Sequence, residues 1–263
     1  MDFGMPTLIE LNNLEDCAVL CKELGLQFIE LNMNLPQYQL NRIDTDKFLK
    51  IAEKYGIYYT IHLDENLNVS DFNSDVANAY IKTVLETIEL AKDLGVPILN
   101  MHLSKGVYFT LPDKKVFLFS EYKEYYLKSI KEFIKVCETA IKNSSIKISL
   151  ENTDGFKDFH IEALELFMKS PVFSLTFDIG HDYCIGHRDE KIILNYGEKL
   201  CHMHMHDANS NGKNHLTLGT GEIDLQKYLS IAENKNCRVV LETKTIEALK
   251  KSVHWLERNQ NNA

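Results

Sequence analysis

Six residues whose side chains can bind metal ions each directly follow an apolar residue in the sequence. The pairs are Ile61-His62, Met101-His102, Leu150-Glu151, Phe177-Asp178, Met203-His204 and Leu241-Glu242. Any one of them alone is better explained as a hydrated polar residue at the end of a strand. Three carboxylates gathered without a cation would repel one another. A mixed oxygen and nitrogen set suits zinc, manganese or iron better than calcium. The six together therefore predict a site for one or two divalent metal ions, with manganese or zinc expected.

The elements that carry these residues alternate between short apolar segments of strand character and longer segments of helical period. Eight strands are predicted, near Asp2–Pro6, Gln27–Asn32, Ile57–His62, Ile98–His102, Lys147–Glu151, Ser174–Asp178, Leu200–His204 and Arg238–Glu242. Amphipathic helices between them, such as the one that stops at Gly95, complete a series of βα units. Such units form either an open doubly wound sheet or a closed barrel.

The position of the ligand-type residues favours the barrel. Side chains alternate across a strand, so the apolar member of each pair is predicted to face the helices and its successor the interior. The residues two positions earlier are mostly small or polar and share that interior face: Thr60, Asn100, Ser149, Thr176, His202 and Val240. In a (β/α)8 barrel all strand C-termini meet at one mouth, where enzymes of this fold keep their active sites. We therefore predict an α/β fold, a (β/α)8 TIM barrel, with residues 1–263 forming a single domain.

Composition places further limits on the protein. The chain has 263 residues, 44% of them hydrophobic, which is enough for one large core. Its 38 acidic and 29 basic residues give a formal charge of −9, which argues against polyanion binding driven by bulk charge.

The first residues do not resemble a secretory signal, and no apolar run is long enough to span a bilayer, so a cytoplasmic protein is expected. The six cysteines form no CxxC pair and are interpreted as small apolar core residues. The polar tail from Asn259 to Ala263 is expected to fray.

Additional histidines lie just beyond two of the predicted strand ends. His181 lies in the segment FDIGHDYCIG after the sixth strand, and His206 and His215 lie after the seventh. His202 and His206 are interpreted as groups that support metal ligands through hydrogen bonds. The segment GTGEID has two explanations, a phosphate-binding loop or a glycine-containing loop that closes onto the next helix, and the second is favoured.

With these residues, the chain resembles the xylose isomerase-like TIM-barrel superfamily, which includes sugar phosphate isomerases and epimerases and the endonuclease IV type of DNA repair enzyme. The resemblance covers almost the whole chain, through GMP, IELN, IH, MHLSKG, LEN, FDIGH, HMHDAN, HLTLGTGEI and LET in this order. Each motif alone is weak, whereas LEN, DxxH, HxxD and LET in succession are quite specific.

The resemblance implies a set of metal ligands. The metal common to the superfamily would be held by Glu151, Asp178, His204 and Glu242. A second ion, as in endonuclease-like members, would be bridged by Glu151 and bound by His62 and His102. The resemblance thus leaves open whether one or two ions bind.

By the same resemblance, the leading hypothesis is isomerisation or epimerisation of a small sugar, sugar phosphate or related polyhydroxy carbonyl compound. The metal would chelate a carbonyl and a neighbouring hydroxyl, and would stabilise the enediolate that forms when the adjacent C–H loses its proton. Glu151 and Glu242 resemble the family's acid and base pair, one removing the proton and the other returning it. The expected substrate-binding residues are His181, His62, His102 and His215.

The second hypothesis is a metal-dependent hydrolase of the endonuclease IV type, acting on abasic-site DNA or another phosphoester, in which paired ions activate water. His62 and His102 support it. Lys213 stands where a third metal would need an aspartate, which counts against DNA cleavage. The ketose 3-epimerase branch also differs, because it carries an arginine a few residues after the seventh-strand histidine, where residues 209–211 of this chain are Asn-Ser-Asn.

A third hypothesis is a barrel that binds a sugar or serves regulation without turnover. An intact ligand set argues against it, although a fold never determines a function. The expected partner is a small sugar-like substrate. Neither nucleic acid nor a membrane is expected as a partner, and a homo-oligomer is an open alternative.

Overall fold

The computed structural model describes residues 1–260 and contains the eight predicted strands and two more. The strands are β1 (Asp2–Pro6), β2 (Phe28–Asn32), β3 (Tyr58–His62), β4 (Ile98–His102), β5 (Tyr108–Thr110), β6 (Lys115–Phe117), β7 (Lys147–Glu151), β8 (Phe173–Asp178), β9 (Leu200–Met205) and β10 (Arg238–Leu241). The two strands that the sequence did not predict, β5 and β6, pair antiparallel as a hairpin after β4.

The other eight strands close into a parallel barrel. Their order around the barrel is β1-β10-β9-β8-β7-β4-β3-β2, and β1 completes the circle by pairing with β2. Closure excludes the open doubly wound sheet that the sequence left as an alternative. The prediction of a single-domain (β/α)8 TIM barrel is confirmed.

Helices surround the barrel on its outer face. They are α1 (Leu14–Glu23), α2 (Thr45–Tyr55), α3 (Ser74–Leu94), α4 (Leu118–Glu121), α5 (Lys123–Ile141), α6 (Asp158–Phe167), α7 (Ile179–Cys184), α8 (Glu190–Asn195), α9 (Leu225–Asn234) and α10 (Ile246–Gln260). Side chains of Asn13, Asp44 and Asn73 cap α1, α2 and α3 by accepting backbone N–H groups of the first turn. Gly56 and Gly95 end α2 and α3 in the left-handed conformation, which turns the chain into the next strand.

The main core lies between the strands and the helices. The apolar members of the strand-end pairs are all at most 1% exposed: Ile61, Met101, Leu150, Phe177, Met203 and Leu241. They belong to the same apolar cluster as helix residues such as Val84 and Ile88, so they face the helices, and alternation turns their successors into the barrel, as predicted. Four of the cysteines, Cys17, Cys21, Cys137 and Cys237, are buried as expected, whereas Cys184 is exposed and Cys201 is partly exposed.

The barrel interior is filled near the N-terminal ends of the strands. Phe28 is fully buried there, and a Cβ added to Gly4 would lie 2.5 Å from its ring, so only glycine leaves room for this ring. Phe28 stacks on Tyr58 with ring centroids 5.3 Å apart. The Tyr58 hydroxyl donates to Asp2 and accepts from Arg238. These groups close the end of the barrel opposite the strand C-termini.

Two further expectations concern surfaces and the chain end. Within residues 1–260, no helix has the length and apolar character that crossing a membrane requires. Helix α10 extends through Gln260, so Asn259 is helical, and its side chain donates to the carbonyl of Trp255. The expectation that the chain frays from Asn259 is therefore wrong for its first residues, and residues 261–263 lie outside the described part.

Candidate metal centre

The parallel register aligns the candidate ligands on neighbouring strands. His102 on β4 pairs with Glu151 on β7, and Asp178 on β8 pairs with His204 on β9. Glu242 directly follows β10, and its backbone N–H still bonds to a carbonyl of β9. All five side chains therefore meet at the C-terminal mouth of the barrel.

Four of the predicted ligands form one compact group. They are Glu151, Asp178, His204 and Glu242, and each offers a ligand atom within 4.8 Å of the others. His204 Nδ1 lies 3.2 Å from both Glu151 Oε1 and Glu242 Oε2. It lies 4.0 Å from Asp178 Oδ2. The group is buried, and its most exposed member, Glu242, is 8% exposed. The structure thus brings together the four residues that the sequence predicts to hold the first metal.

Several buried atoms in this group have no hydrogen-bond partner among residues 1–260. They include His204 Nδ1, Glu242 Oε2 and the neighbouring His181 Nδ1, which lies 3.3 Å from Asp178 Oδ2. An unsatisfied buried polar atom destabilises a protein by about 1–3 kcal/mol. A divalent cation ligated by imidazole and carboxylate atoms satisfies such atoms together, and this donor set fits manganese or zinc. The residues present therefore fit the predicted ion.

Burial and charge act in opposite directions on these groups. Burial alone would raise the pKa of Glu151, but His204 and His102 lower it well below its ordinary value. Burial is likewise outweighed at Glu242, where His204 and Lys244 lower the pKa, with Lys244 Nζ 2.8 Å from Glu242 Oε1. Burial opposes protonation of His204, yet the surrounding carboxylates raise its pKa well above the ordinary value. Because a cation would take the place of the proton on His204, metal binding should release that proton.

His62 and His102 approach the other oxygen of Glu151. Their Nε2 atoms lie 3.4 and 3.1 Å from Oε2, while Oε1 faces His204. The side chain of Asn100 also donates to Oε2. Burial opposes protonation of His62, but Glu151 raises its pKa to about 9. This arrangement is compatible with both sequence-based alternatives, a second ion bridged by Glu151 or imidazoles that bind substrate oxygens.

A second histidine cluster, formed by His181, His206 and His215, lies beside the ligand group. His206 Nδ1 accepts the backbone N–H of His215, and His206 Nε2 lies 3.1 Å from Asp178 Oδ1. Both ring nitrogens of His206 are therefore engaged, in line with its interpretation as a support for a ligand. His215 Nδ1 lies 3.2 Å from the carbonyl oxygen of Glu242, and burial lowers the pKa of His215 to about 4. The ring of His215 is therefore neutral at pH 7.

Asp178 is held by three elements at once. Its carboxylate caps α7 by accepting the backbone N–H of His181 at 2.7 Å. The Asn152 side chain bonds to both the N–H and the carbonyl of Asp178, which explains the asparagine of the LEN motif. The ring of His206 lies directly against Gly180, where an added Cβ would be 1.9 Å from the ring. The glycine of FDIGH is therefore required for His206 to reach Asp178.

Asp207 organises the GTGEID segment. Its carboxylate accepts the backbone N–H groups of Ala208, Gly219, Gly221 and Ile223. Backbone N–H groups that face a carboxylate are not free to bind a phosphate. The structure therefore supports the loop-closing explanation of this segment, which was the favoured one.

A cavity of about 480 Å³ lies at the mouth of the barrel, and it reaches His102 and His181, which contact Glu151 and Asp178 of the ligand group. The lining comes mainly from the loops after β3, β4 and β7 and includes Glu65, Asn66, Lys105, Thr153, Asp154, His102 and His181. Lys105 Nζ donates to Asp154 at 2.7 Å, which links two of these loops. Hydroxyl groups of a ligand can find hydrogen-bond partners throughout this lining.

Glu30 on β2 belongs to the same network, although its sequence environment did not mark it as a candidate. It is 2% exposed, and the Nε2 atoms of His202 and His204 each lie 2.9 Å from its carboxylate. The available signals were its place two residues after Phe28 on the interior face of a strand and its membership of the IELN motif, which assigned it no role. A single glutamate at such a position cannot be distinguished from an exposed one without its partners.

Comparison with known proteins adds to this geometry. Residues 18–259 match the protein family described as Xylose isomerase-like TIM barrel. An uncharacterized protein of Methanocaldococcus jannaschii is 23% identical over 263 residues, which cover 98% of this chain and 96% of that protein. A second uncharacterized protein of the same organism is 26% identical over 218 residues, which cover 75% of this chain and 71% of that protein.

Several solved structures share the fold along the whole chain. A D-tagatose 3-epimerase-like protein has a TM-score of 0.80 at 24% identity, with 100% of both chains covered. The 3-keto-D-glucoside 4-epimerase from E. coli has a TM-score of 0.77 at 15% identity, with 98% of this chain and 99% of that chain covered. The IOLI protein, solved with a zinc atom, has a TM-score of 0.73 at 19% identity over 96% of this chain and 95% of that chain. At these identities the likeness establishes the fold.

Proposed function

Because the chain belongs to the xylose isomerase-like TIM-barrel family, we propose that it is a divalent-metal-dependent isomerase or epimerase of a small polyhydroxy carbonyl compound. The substrate class is a sugar or sugar phosphate. Relatives of the same fold are named for epimerisation of D-tagatose, D-psicose and a 3-keto-D-glucoside, which supports this class.

The observation that carries the proposal is a pair of carboxylates beside one imidazole. Glu151 and Glu242 both lie 3.2 Å from His204 Nδ1, next to a polar cavity. Epimerisation next to a carbonyl needs one group to remove a proton and a second to return it on the other face. With its pKa lowered, either carboxylate is ionised at pH 7 and can remove the substrate proton. The other would first take up a proton from solvent and then return it to the opposite face, so that one proton leaves the substrate and one is added.

The ligand set also assigns roles to the remaining residues. Glu151, Asp178, His204 and Glu242 would hold the metal ion. When bound, a divalent cation supplies Lewis-acid stabilisation of negative charge on substrate oxygens. His62, His102, His181 and His215 would bind substrate hydroxyls, and Lys244 keeps Glu242 ionised through its contact at 2.8 Å.

Solvent isotope exchange tests the proton-transfer step. The protein would be loaded with Mn²⁺ and incubated with D-tagatose, D-psicose or D-fructose in deuterated water, and deuterium at the carbons next to the carbonyl would be measured by NMR. We expect incorporation with the wild type and none above background with Glu151→Gln or Glu242→Gln. Glu53→Gln, at an exposed position on α2, is the matched control and should exchange like the wild type. Turnover that reaches equilibrium without any exchange would contradict the proposal.

One observation favours a second candidate function, a metal-dependent hydrolase of the endonuclease IV type. His62 and His102 both face Glu151 Oε2, so a second ion could be bridged by Glu151, and paired ions activate water for phosphoester cleavage. Metal content by mass spectrometry distinguishes the candidates. One ion per chain, unchanged in the double variant His62→Ala and His102→Ala, favours the epimerase. Two ions, one of them lost in the double variant, favour the hydrolase, as would incision of an abasic-site duplex.

A further inference from the structure

Glu30 places a buried negative charge inside the barrel beside the candidate metal centre. Three groups face its carboxylate. Thr60 Oγ1 donates to Oε2 at 3.0 Å, and His202 Nε2 lies 2.9 Å from the same oxygen. His204 Nε2 lies 2.9 Å from Oε1, at ion-pair distance but outside hydrogen-bond geometry. A buried carboxylate is tolerated only when such partners compensate for its lost hydration, so this charge is built into the interior.

The two nitrogens of His204 face different groups. Nε2 faces Glu30, whereas Nδ1 faces Glu151 and Glu242 at 3.2 Å each. A neutral imidazole carries one N–H, and its other nitrogen offers the lone pair that binds a metal. Carboxylates accept but cannot donate, and they face both nitrogens of the metal-free ring. Once an ion takes the place of the hydrogen at Nδ1, Glu30 is the carboxylate that faces the remaining hydrogen at Nε2. The lone pair of Nδ1 is then directed at the ligand group.

No second acid competes for this role among residues 1–260. The only carboxylate within ion-pair distance of His204 Nε2 is that of Glu30, and every other acid near the ring faces Nδ1. Thr60 and His202 are both fully buried and both occupy Oε2 of Glu30. They leave Oε1 to His204 and fix the plane of the carboxylate.

We propose that Glu30 is a positioning residue, which fixes the tautomer and orientation of His204 so that Nδ1 binds the metal ion. The inference rests on the proposed metal-dependent function. It assigns to β2, a strand that contributes none of the four ligands, a direct influence on metal affinity. Groups that hold a metal-binding histidine in this way typically change metal affinity 10- to 100-fold when they are removed.

The substitution Glu30→Gln tests the proposal with little change of shape. Glutamine offers one oxygen and one NH2 group. If the NH2 group faces His204, Nε2 must accept and the hydrogen moves to Nδ1, which removes the lone pair. If the NH2 group faces His202 and Thr60 instead, the His202 ring must change tautomer and the Thr60 hydroxyl must rotate to accept from it. The amide oxygen, which carries no full negative charge, then holds the hydrogen at His204 Nε2 less firmly. The first orientation removes the Nδ1 lone pair, and the second weakens the group that orients the ring.

Two readouts on the metal-free protein separate positioning from simple destabilisation. Titration with Mn²⁺ alone gives the dissociation constant, which we expect to rise about 10- to 100-fold in Glu30→Gln. The visible absorption spectrum of the Co²⁺-loaded protein reports ligand geometry and should change. Asp189→Asn is the matched control, because Asp189 is a buried carboxylate at 1% exposure that accepts the backbone N–H of Phe156. That variant also replaces a buried carboxylate by its amide, and it should keep the wild-type affinity and spectrum whatever its effect on stability.

Thr60→Val gives a second, milder test if Glu30→Gln does not fold, since it removes one donor to Glu30 and leaves the carboxylate. We expect a smaller loss of Mn²⁺ affinity in the same direction. Wild-type Mn²⁺ affinity and an unchanged Co²⁺ spectrum in the Glu30 and Thr60 variants would overturn the positioning role of Glu30. That result would leave the proposed metal site itself in place. If Asp178→Asn binds Mn²⁺ as tightly as the wild type does, the proposed metal site itself is wrong, and the inference fails with it.

Discussion

His160 should make the stability of the protein depend on pH, because its burial and its hydrogen-bond partners disfavour the protonated ring. The ring is 3% exposed. Its Nδ1 accepts the backbone N–H of Lys157 at 3.3 Å, and its Nε2 lies 3.1 Å from the carbonyl oxygen of Ser104, which lines the mouth cavity. If the ring were protonated, the hydrogen on Nδ1 would face the backbone N–H of Lys157, which is itself a donor. Burial accordingly lowers the pKa of His160 from 6.5 to about 4.

The sign and the size of the effect follow from linkage. The unfolded chain binds a proton on His160 more tightly than the folded protein does. The stability that the neutral His160 ring contributes is therefore intact above pH 6.5 and is lost as the pH falls towards 4. Between pH 7.5 and pH 5, these two pKa values correspond to a loss of about 2 kcal/mol in the free energy of unfolding.

Urea unfolding followed by circular dichroism, at pH 7.5 and pH 5 in the presence of a chelator, measures this loss. Glutamine can donate to the carbonyl of Ser104 but takes up no proton, so His160→Gln should lose about 2 kcal/mol less than the wild type over the interval. Asn78→Gln, at an exposed position on α3, removes no titratable group and is the control. Equal losses in the wild type and in His160→Gln would refute the reasoning, because proton uptake by His160 would then not be coupled to unfolding.

Three further predictions concern the metal centre and its supports. Removal of bound metal by EDTA should lower the melting temperature by about 5–10 °C in calorimetry, since an ion at a hundred times its dissociation constant contributes about 2.7 kcal/mol; no change would count against a tightly bound ion. Gly180→Ala should push the His206 ring from its carboxylate partner and weaken Mn²⁺ binding about tenfold in a calorimetric titration, whereas the control Gly197→Ala, which meets only a flexible lysine, should bind normally. Gly221→Ala places a Cβ 2.3 Å from the Asp207 carboxylate and from a backbone carbonyl. It should destabilise the protein by about 2–4 kcal/mol in urea, and a change below about 0.5 kcal/mol would contradict this.

The barrel could be predicted because its signals are local. Six of the eight barrel strands are short apolar runs that end in a ligand-type residue, and helices such as α2 and α3 have a side-chain cap and a terminal glycine, Gly56 or Gly95. The β5–β6 hairpin escaped prediction because its strands have three residues each, too few to show an alternating pattern. Its place in the structure depends on tertiary packing, in which Phe117 contacts both Tyr108 and Phe159.

The candidate site could be predicted only in part. Glu151, Asp178, His204 and Glu242 stand in the same position at the ends of four strands, and this repetition is visible in the sequence. Glu30 and His160 contact partners far away along the chain, and their immediate neighbours, including the IELN motif around Glu30, do not indicate these partners. Which nitrogen of a histidine faces which acid depends on side-chain geometry. The sequence therefore predicted the residues of the ligand group but not the network that orients them.

The closed end of the barrel has a kinetic consequence. Phe28, seated over Gly4 and stacked on Tyr58, fills the interior opposite the mouth, so traffic to the site uses one opening. In the proposed reaction an isomer would leave by the route through which its precursor arrived, and no co-product would need a separate exit. A proton held by Glu151 or Glu242 would then have to pass the bound molecule to reach bulk water. Return of the same proton to the sugar should compete with its exchange into solvent. In deuterated water, the deuterium content of the sugar should therefore rise gradually over many turnovers rather than completely in the first.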